Sequence, residues 1–255
     1  VPVSVDVGVA DVEVKDVEIE EAAARLEGRP PVEILAWAAS RFPGRVGFAT
    51  GFGAEGCVLV DTIARAKLAI DVFTLDTGLL FPETYALWRR LENRYGISIR
   101  AVRPALTVEQ QSHAHGDALW EREPDRCCQL RKVLPLRSAL AGLDAWITSI
   151  RRDQTRERAD AGIVERDARF GLVKLNPLAD WSDDDVRAYV RKHDVPVNPL
   201  HARGYPSIGC RPCTSPVLPG ELDRAGRWRG REKTECGLHL RGAQGALAIA
   251  LTRGV

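Results

Sequence analysis

Between residues 45 and 193 the chain alternates short apolar runs with longer amphipathic ones, and this rhythm limits the fold more than any other feature. Strand-like runs fall at Arg45–Ala49, Ile70–Leu75, Ile97–Val102, Asp144–Ile150 and Gly171–Leu175. Helix-like runs lie between them at Glu55–Ala66, Pro82–Tyr95, Arg126–Ala141 and, behind an N-cap at Ser182, Asp183–His193. Strands separated by helices of this length join in parallel, and the helices then cover both faces of the sheet. The expected class is therefore α/β, a parallel-type sheet flanked by helices. Two flanks depart from the rhythm. Before it, valines alternate from Val1 to Val9, an acidic stretch follows, and a helical pattern from Ile19 to Glu27 closes at Gly28; Pro30-Pro31 then opens a helix carrying Ile34, Leu35 and Trp37. After Val195 the pattern gives way to Pro, Gly, Arg and Cys, an irregular segment ordered by something other than an apolar core.

Charge narrows the ligand class. Lys and Arg number 36 against 35 Asp and Glu, a net charge of +1, which argues against a nucleic-acid coat. No apolar run approaches the ~18 residues that a membrane span needs, and no basic-then-apolar leader is visible, so a cytoplasmic protein is expected. The balance hides clusters: Arg126, Arg131, Lys132 and Arg137; Arg151, Arg152, Arg156 and Arg158; and nine cations against four acids in residues 200–255. Compact clusters of this kind suit a small polyanion. The tryptophans show no spacing suited to stacking bases and read as packing residues.

Two loops sit where an open α/β sheet binds its ligand, at the carboxyl ends of strands. The first is Thr50-Gly51-Phe52-Gly53-Ala54-Glu55-Gly56, in which glycines permit close backbone approach and the following helix start favours an anion. It lacks the Gly-Lys-Ser/Thr ending of a Walker loop and the Gly-x-Gly-x-x-Gly of a dinucleotide fold. The second is Asp76-Thr77-Gly78. Together they point to a nucleotide, with Thr50, Gly51, Gly53, Glu55, Asp76, Thr77 and Gly78 as candidate contacts. The chain is then expected to comprise an N-terminal extension (1–30), a nucleotide-binding α/β domain (31–200) and a Cys-rich catalytic segment of the same domain (201–255).

Six cysteines occur in a chain that shows no secretory leader, so metal or redox chemistry is favoured over structural disulfides. Cys127-Cys128 and Cys210-x-x-Cys213 supply four thiolates, which suit zinc or an iron–sulfur cluster. Adjacent helical residues diverge by about 100°, which favours a bulky cluster over one tetrahedral ion. Cys57, among Val58, Leu59 and Val60, reads as a buried inert thiol. Cys236 lies among Lys233, His239, Arg241 and an upstream arginine run, surroundings that favour the nucleophilic thiolate. His113 and His115 lie on a polar helix, where a His-x-His pair points apart, and read as a solvated face.

Cys127-Cys128-Gln129-Leu130-Arg131-Lys132, Arg151-Arg152-Asp153-Gln154, Asn176-Pro177-Leu178, Gly204-Tyr205-Pro206-Ser207-Ile208-Gly209-Cys210-Arg211-Pro212-Cys213-Thr214 and Lys233-Thr234-Glu235-Cys236-Gly237-Leu238-His239 together resemble the assimilatory adenylylsulfate (APS) reductases. The resemblance spans roughly residues 45–239. It implies an adenine-nucleotide α-hydrolase-like fold, one [4Fe-4S] cluster on Cys127, Cys128, Cys210 and Cys213, and reduction of APS to sulfite and AMP with electrons from thioredoxin. It places the nucleophile at Cys236 and the substrate-binding cations at Lys132, Arg158, Arg224 and Arg227, with His239 beside them. The family loop commonly reads Ser-Phe-Gly-x-Glu-Asp; here Gly51 and Gly56 stand in place of the serine and the aspartate, and Thr50 keeps a hydroxyl nearby. No fused thioredoxin-like domain follows Cys236, so a separate reductant is expected, and a homo-oligomer fits the resemblance. The rival within the family is a reductase for the 3′-phosphorylated substrate, PAPS, or an enzyme that uses both. Members specialised for PAPS usually lack the two cysteine pairs. An ATP-dependent adenylating or thiolating enzyme would want a Ser-Gly-Gly-x-Asp-Ser loop, which is missing. Outside enzymes, the alternative is a zinc-binding interaction module.

Overall fold

The computed structural model describes residues 16–239. The valine alternation at Val1–Val9 and Arg241 lie outside the described residues. The element order is α1 (Asp16–Leu26), α2 (Pro31–Arg41), β1 (Val46–Ala49), α3 (Ala54–Arg65), β2 (Asp71–Leu75), α4 (Pro82–Tyr95), β3 (Arg100–Val102), α5 (Val108–His115), α6 (Leu119–Arg122), α7 (Pro124–Cys128), α8 (Leu134–Leu140), β4 (Ala145–Ile147), β5 (Val164–Asp167), β6 (Leu172–Leu175) and α9 (Asp183–His193). The six strands form one sheet in the order β3-β2-β1-β4-β6-β5. Five of them run parallel, in register pairs such as Phe48↔Val72 and Phe48↔Ile147. The order reverses between β1 and β4, the switch point at which an open sheet leaves a crevice above its carboxyl ends.

The sequence pattern misses β5, which returns antiparallel along β6 (Arg166↔Val173) through a tight connection. Val164–Asp167 buries only Val164 fully, so its alternation is too weak to stand out among the arginines around it. The expected strands at Ile97–Val102 and Asp144–Ile150 shorten to three residues each. Inside the sheet, Phe48, Phe73, Trp146 and Ile147 are buried to 1% exposure or less. Helix α1 joins the principal core through Ile19, Ala22 and Leu26, and salt bridges Asp16–Arg166 and Glu27–Arg152 tie it to the β5 side.

The helix expected at Arg126–Ala141 is a correction. It starts at Pro124 and is interrupted by a π turn at Gln129–Val133, where Leu134 N–H reaches back five residues to the Gln129 carbonyl. Pro135 supplies the reason: it has no N–H to continue the ladder, and its ring would clash with the carbonyl four residues earlier, that of Arg131. Widening the turn accommodates the ring and rotates the residues just after Cys127-Cys128. Among the described residues no helix is long and apolar enough to cross a membrane.

Candidate active site and cysteine cluster

A cavity of about 1700 Å³ opens above the carboxyl ends of the strands, walled by the loops after β1 and β4 and by the irregular 201–239 segment. On its floor, Thr50–Ala54 turns from β1 into α3. Thr50 Oγ1 accepts a hydrogen bond from Phe52 N (3.2 Å), and Phe52 takes a left-handed backbone (φ 59°) whose cost is offset by complete burial and stacking on Trp88 (5.7 Å). A Cβ on Gly56 would approach Thr50 Oγ1 to 2.7 Å, so Gly56 and the hydroxyl at Thr50 are two halves of one adaptation. Gly51 and Gly53 line the cavity, leaving the start of α3 open to an anion.

The acids of these loops are engaged with the protein. Glu55 accepts from Arg151 Nε (3.0 Å) and Gln154 Nε2 (2.8 Å), and Arg151, 4% exposed, also pairs with Asp153 (2.7 Å). Asp76 accepts from Tyr85 (2.7 Å), from the Gly78 amide (3.2 Å) and from Arg103 (3.2 Å); burial and this carboxylate push the Tyr85 phenol up to about 12. Asp76 and Gly78, both expected contacts, are not among the residues that line the cavity. Gly78 has φ +69° and lies 3.3 Å from the Arg131 guanidinium at its absent Cβ, so it makes room for Arg131 rather than for a phosphate. Thr77 does reach the cavity, with Oγ1 3.4 Å from Cys210 Sγ.

Opposite the loop stand the cations singled out in the sequence. Arg158 makes a bidentate pair with Glu235 (2.8 and 2.9 Å), and both are largely buried; Arg224 joins the same carboxylate at 3.3 Å. Arg224 and Arg227 both reach Ser207 Oγ, at 3.4 and 3.3 Å, and Arg227 lies 4.5 Å over the Trp228 ring. Gly209 accommodates this arrangement, since a Cβ there would meet Arg227 Nη2 at 2.3 Å. His239 stacks on Trp146 (5.9 Å, 6° between planes), and burial, with Arg158, Lys174, Arg224 and Arg169 around it, holds its pKa well below the ordinary imidazole value. Buried and without a protein partner are Arg224 Nε, Arg227 Nε, His239 Nδ1 and Thr155 Oγ1, all on residues lining this one cavity. Such a concentration of unsatisfied polar groups marks a site built for a polar ligand.

Cys236 lies half-buried on the same wall. Burial, and then Glu235, would raise its pKa, but Lys132 foremost, with the Leu238 amide and Arg227, brings it below the ordinary thiol value. The sequence pointed to neighbours such as Lys233 for this effect. Lys233 is instead paired with Asp125 and lies 5.3 Å over Trp228, and the leading cation comes from the distant Cys-Cys motif. Glu235, Gln154, Arg151, Ser207 and Trp146 also line the cavity and were not singled out as contacts, although all but Trp146 fall inside motifs already quoted.

Lys132, Cys210 and Trp228 form a partition between this cavity and a second, much smaller one, lined by Leu79, Trp120, Pro124, Arg131 and the cysteines 127, 128, 210 and 213. Three of these four thiols are buried and none forms a disulfide. Burial pushes Cys127 to about 11 and Cys128 to about 12. The Leu80↔Cys210 bridge and an Arg211 N–H to Leu79 carbonyl bond (2.7 Å) bring the Cys210 turn to the β2 loop. Arg131, 3% exposed, donates to the Thr77 carbonyl (2.6 Å) and to Gln111 (3.0 Å), whose amide in turn points at Cys127 Sγ (4.0 Å). Among the described residues no three His, Cys, Asp or Glu side chains are gathered as one metal ion would require. Four thiols around one small space lined by Trp120 and Trp228 are the donor set that a polynuclear thiolate cluster takes. Cys57, by contrast, is wholly buried on α3, and burial drives its thiol upward into an inert state.

Fold and site together define an α/β protein whose strand-end cavity gathers a glycine loop, several arginines and a thiol of lowered pKa, with two cysteine pairs beside it. Residues 45–216 match the phosphoadenosine phosphosulfate reductase domain, and the chain belongs to that family. It is 47% identical over 209 residues to adenosine 5'-phosphosulfate reductase of Bacillus velezensis, covering 82% of this chain and 90% of the relative. It is 44% identical to that of Halalkalibacterium halodurans, covering 88% and 97%. Among solved structures, the phosphate complex of phosphoadenylyl-sulfate reductase from Candida auris is similar with a TM-score of 0.71 and 31% identity, covering 81% of this chain and 99% of that one. FMN adenylyltransferase of Candida glabrata (TM-score 0.53, 14% identity, 92% and 81% covered) shares the fold alone.

Proposed function

We propose that this chain reduces APS to sulfite and AMP in sulfate assimilation, as an oxidoreductase acting on a sulfur group. The observation that carries the reading is one wall on which a thiol with lowered pKa, Cys236, stands beside Arg158, Arg224, Arg227 and His239, opposite a glycine loop that opens a helix. The ligand such a wall suits is a nucleotide bearing a sulfonyl electrophile, and the relatives' names supply the same substrate.

In this reading the adenosine lies against the strand ends, and the phosphate and sulfate face the Thr50–Glu55 amides, Lys132 and the arginines. Each charge-assisted hydrogen bond contributes about 1.5–3 kcal/mol, so three or four hold the polyanion and offset the charge that grows on the departing phosphate. Neutral His239 adds a donor without needing a proton from solvent. The Cys236 thiolate attacks sulfur; the bond from sulfur to the phosphate oxygen breaks, and AMP leaves with its electron pair. The product is S-sulfonated Cys236. A thiolate of thioredoxin attacks the Cys236 sulfur, sulfite departs with the electrons of the S–S bond, and the second thioredoxin thiol frees Cys236 as the disulfide closes. The thiols thus supply both electrons. Free cysteines throughout suit the reducing cytoplasm.

Cys127, Cys128, Cys210 and Cys213 are the residues that would hold a [4Fe-4S] cluster. Such a group would supply a fixed charge beside Lys132 and a link between the two cysteine pairs.

The test replaces Cys236 by Ser in the iron-loaded protein. Sulfite release from APS with thioredoxin is expected to vanish while APS binding and the visible absorption of the metal centre persist; normal turnover would sink the assignment. Running wild type with APS and PAPS side by side separates the two substrates, and preferential turnover of PAPS would reverse that part of the reading.

A further inference from the structure

The antiparallel strand that the sequence pattern misses ends in a turn beside the segment that carries Cys236. At its base, Asp167 accepts from the Arg169 amide (3.1 Å) and from Trp146 Nε1 (3.1 Å). Phe170 meets Trp146 edge-on (5.8 Å, 81°), and Trp146 stacks in turn on His239. Arg169, whose guanidinium centre lies 5.2 Å from the Phe170 ring, donates through Nη1 to the carbonyl of Gly237, the residue that follows the nucleophile. Gly237 has φ +85°, so Cys236 stands immediately before a left-handed turn that only a few residue types adopt. The charge-assisted bond at 237 holds the Cys236 loop to the β5–β6 turn directly, and the imidazole at 239 stacks on Trp146 of β4, which Phe170 and Asp167 of that turn also contact.

We infer that the β5–β6 turn is the dock for the nucleophile-bearing segment and that Arg169 is a positioning residue, fixing the loop so that Cys236 faces the bound sulfonyl group. Arg169 does not line the substrate cavity, and its contact is to backbone; it acts through the loop. The inference rests on Cys236 being the nucleophile. Its consequence is asymmetric. Attack on the substrate needs the loop docked, whereas attack by a dithiol on the sulfonated cysteine needs that sulfur reachable from outside. Loss of Arg169 therefore slows the first half-reaction and leaves the second unchanged or faster.

The two halves are measured separately on the iron-loaded enzyme. APS is added without reductant and S-sulfonation of Cys236 is followed by mass spectrometry; dithiothreitol is then added to the isolated adduct and sulfite is counted. Arg169→Met keeps the apolar stem over Phe170 and removes the donor, and Arg169→Lys keeps a donor. Adduct formation is expected to slow about ten- to a hundredfold in Arg169→Met, the scale of losing an aligned attack geometry, and to recover largely in Arg169→Lys. The dithiothreitol step should proceed at least as fast as in wild type, with melting temperatures alike. Unchanged adduct formation in Arg169→Met, or equal slowing of both halves, would overturn the dock. An absence of adduct on wild-type Cys236 would instead overturn the nucleophile assignment beneath it.

Discussion

Lys132 lies in the partition between the two cavities, so one ammonium stands between Cys236 and the cysteine pairs; burial would lower its pKa, but Cys210 foremost, with Cys236 and Cys128, brings it above the usual lysine range. The sign of its effect on Cys236 is fixed: a cation favours the thiolate, and its removal raises the thiol pKa. Lys132→Met should shift the pH profile of Cys236 alkylation by iodoacetamide upward, with rates falling most below the wild-type pKa and converging at high pH. A profile that does not move would assign the lowering to Arg227 and the Leu238 amide. At the loop, Gly56→Ala brings a methyl against Thr50 Oγ1; that hydroxyl can rotate away only by releasing the buried Phe52 amide. The expected loss is about 1–3 kcal/mol in urea unfolding, and Thr50→Ala in the same chain should recover part of it because it removes the clashing atom.

Elements built on strong local periodicity were legible: α3, α4 and α9 fall within a residue of their expected bounds, because each carries an apolar stripe, reinforced by a proline start at α4 and the Ser182 cap at α9. Arg158, Arg224, Arg227, Cys236 and His239, which the resemblance groups together, converge on one cavity. What the sequence hides are arrangements set by tertiary partners. The π turn depends on Pro135 acting against a carbonyl behind it, β5 depends on pairing with β6, and Asp76 looks like a ligand until Tyr85 and Arg103 occupy it. Glu235 belongs to the same class, since its role comes from Arg158, far away in sequence. It is the acid that docks the Cys236 segment onto the cation wall. Glu235→Gln leaves Arg158 and Arg224 buried short of a countercharge, and breaking such a pair costs about 3–5 kcal/mol. The melting temperature should fall, and AMP or sulfate should raise it more in this variant than in wild type, because the anion replaces part of the missing charge. An equal response of both proteins would remove Glu235 from this role.

At the scale of the whole molecule, two parts are held together by different physics. The sheet and its helices bury nearly all of the apolar core, whose main cluster draws on residues 19–195. The segment from Gly204 to Glu235 has only one short 3₁₀ turn, Arg211–Cys213, and isolated bridges, and it joins the rest through the Leu80↔Cys210 bridge, the Arg158–Glu235 pair and the shared cysteine cavity. A metal centre held by the four cysteines would contribute directly to the folding of the parts it links, and it would make the stability of the segment separable from that of the sheet. Stripping the iron anaerobically with a chelator should leave the main thermal transition of the sheet nearly in place. The same treatment should open the Cys210 segment, so that trypsin cleaves at Arg224, Arg227 and Arg231 in the stripped protein and far more slowly in the loaded one. Loss of APS binding should follow cleavage susceptibility, because Arg224 and Arg227 approach the cavity only while the Cys210 turn is seated on the β2 loop. Identical digestion patterns with and without iron would mean that hydrogen bonds and the Arg158–Glu235 pair suffice to seat the segment, and the four thiols would then owe their placement to electrostatics around Lys132 rather than to holding the two parts together.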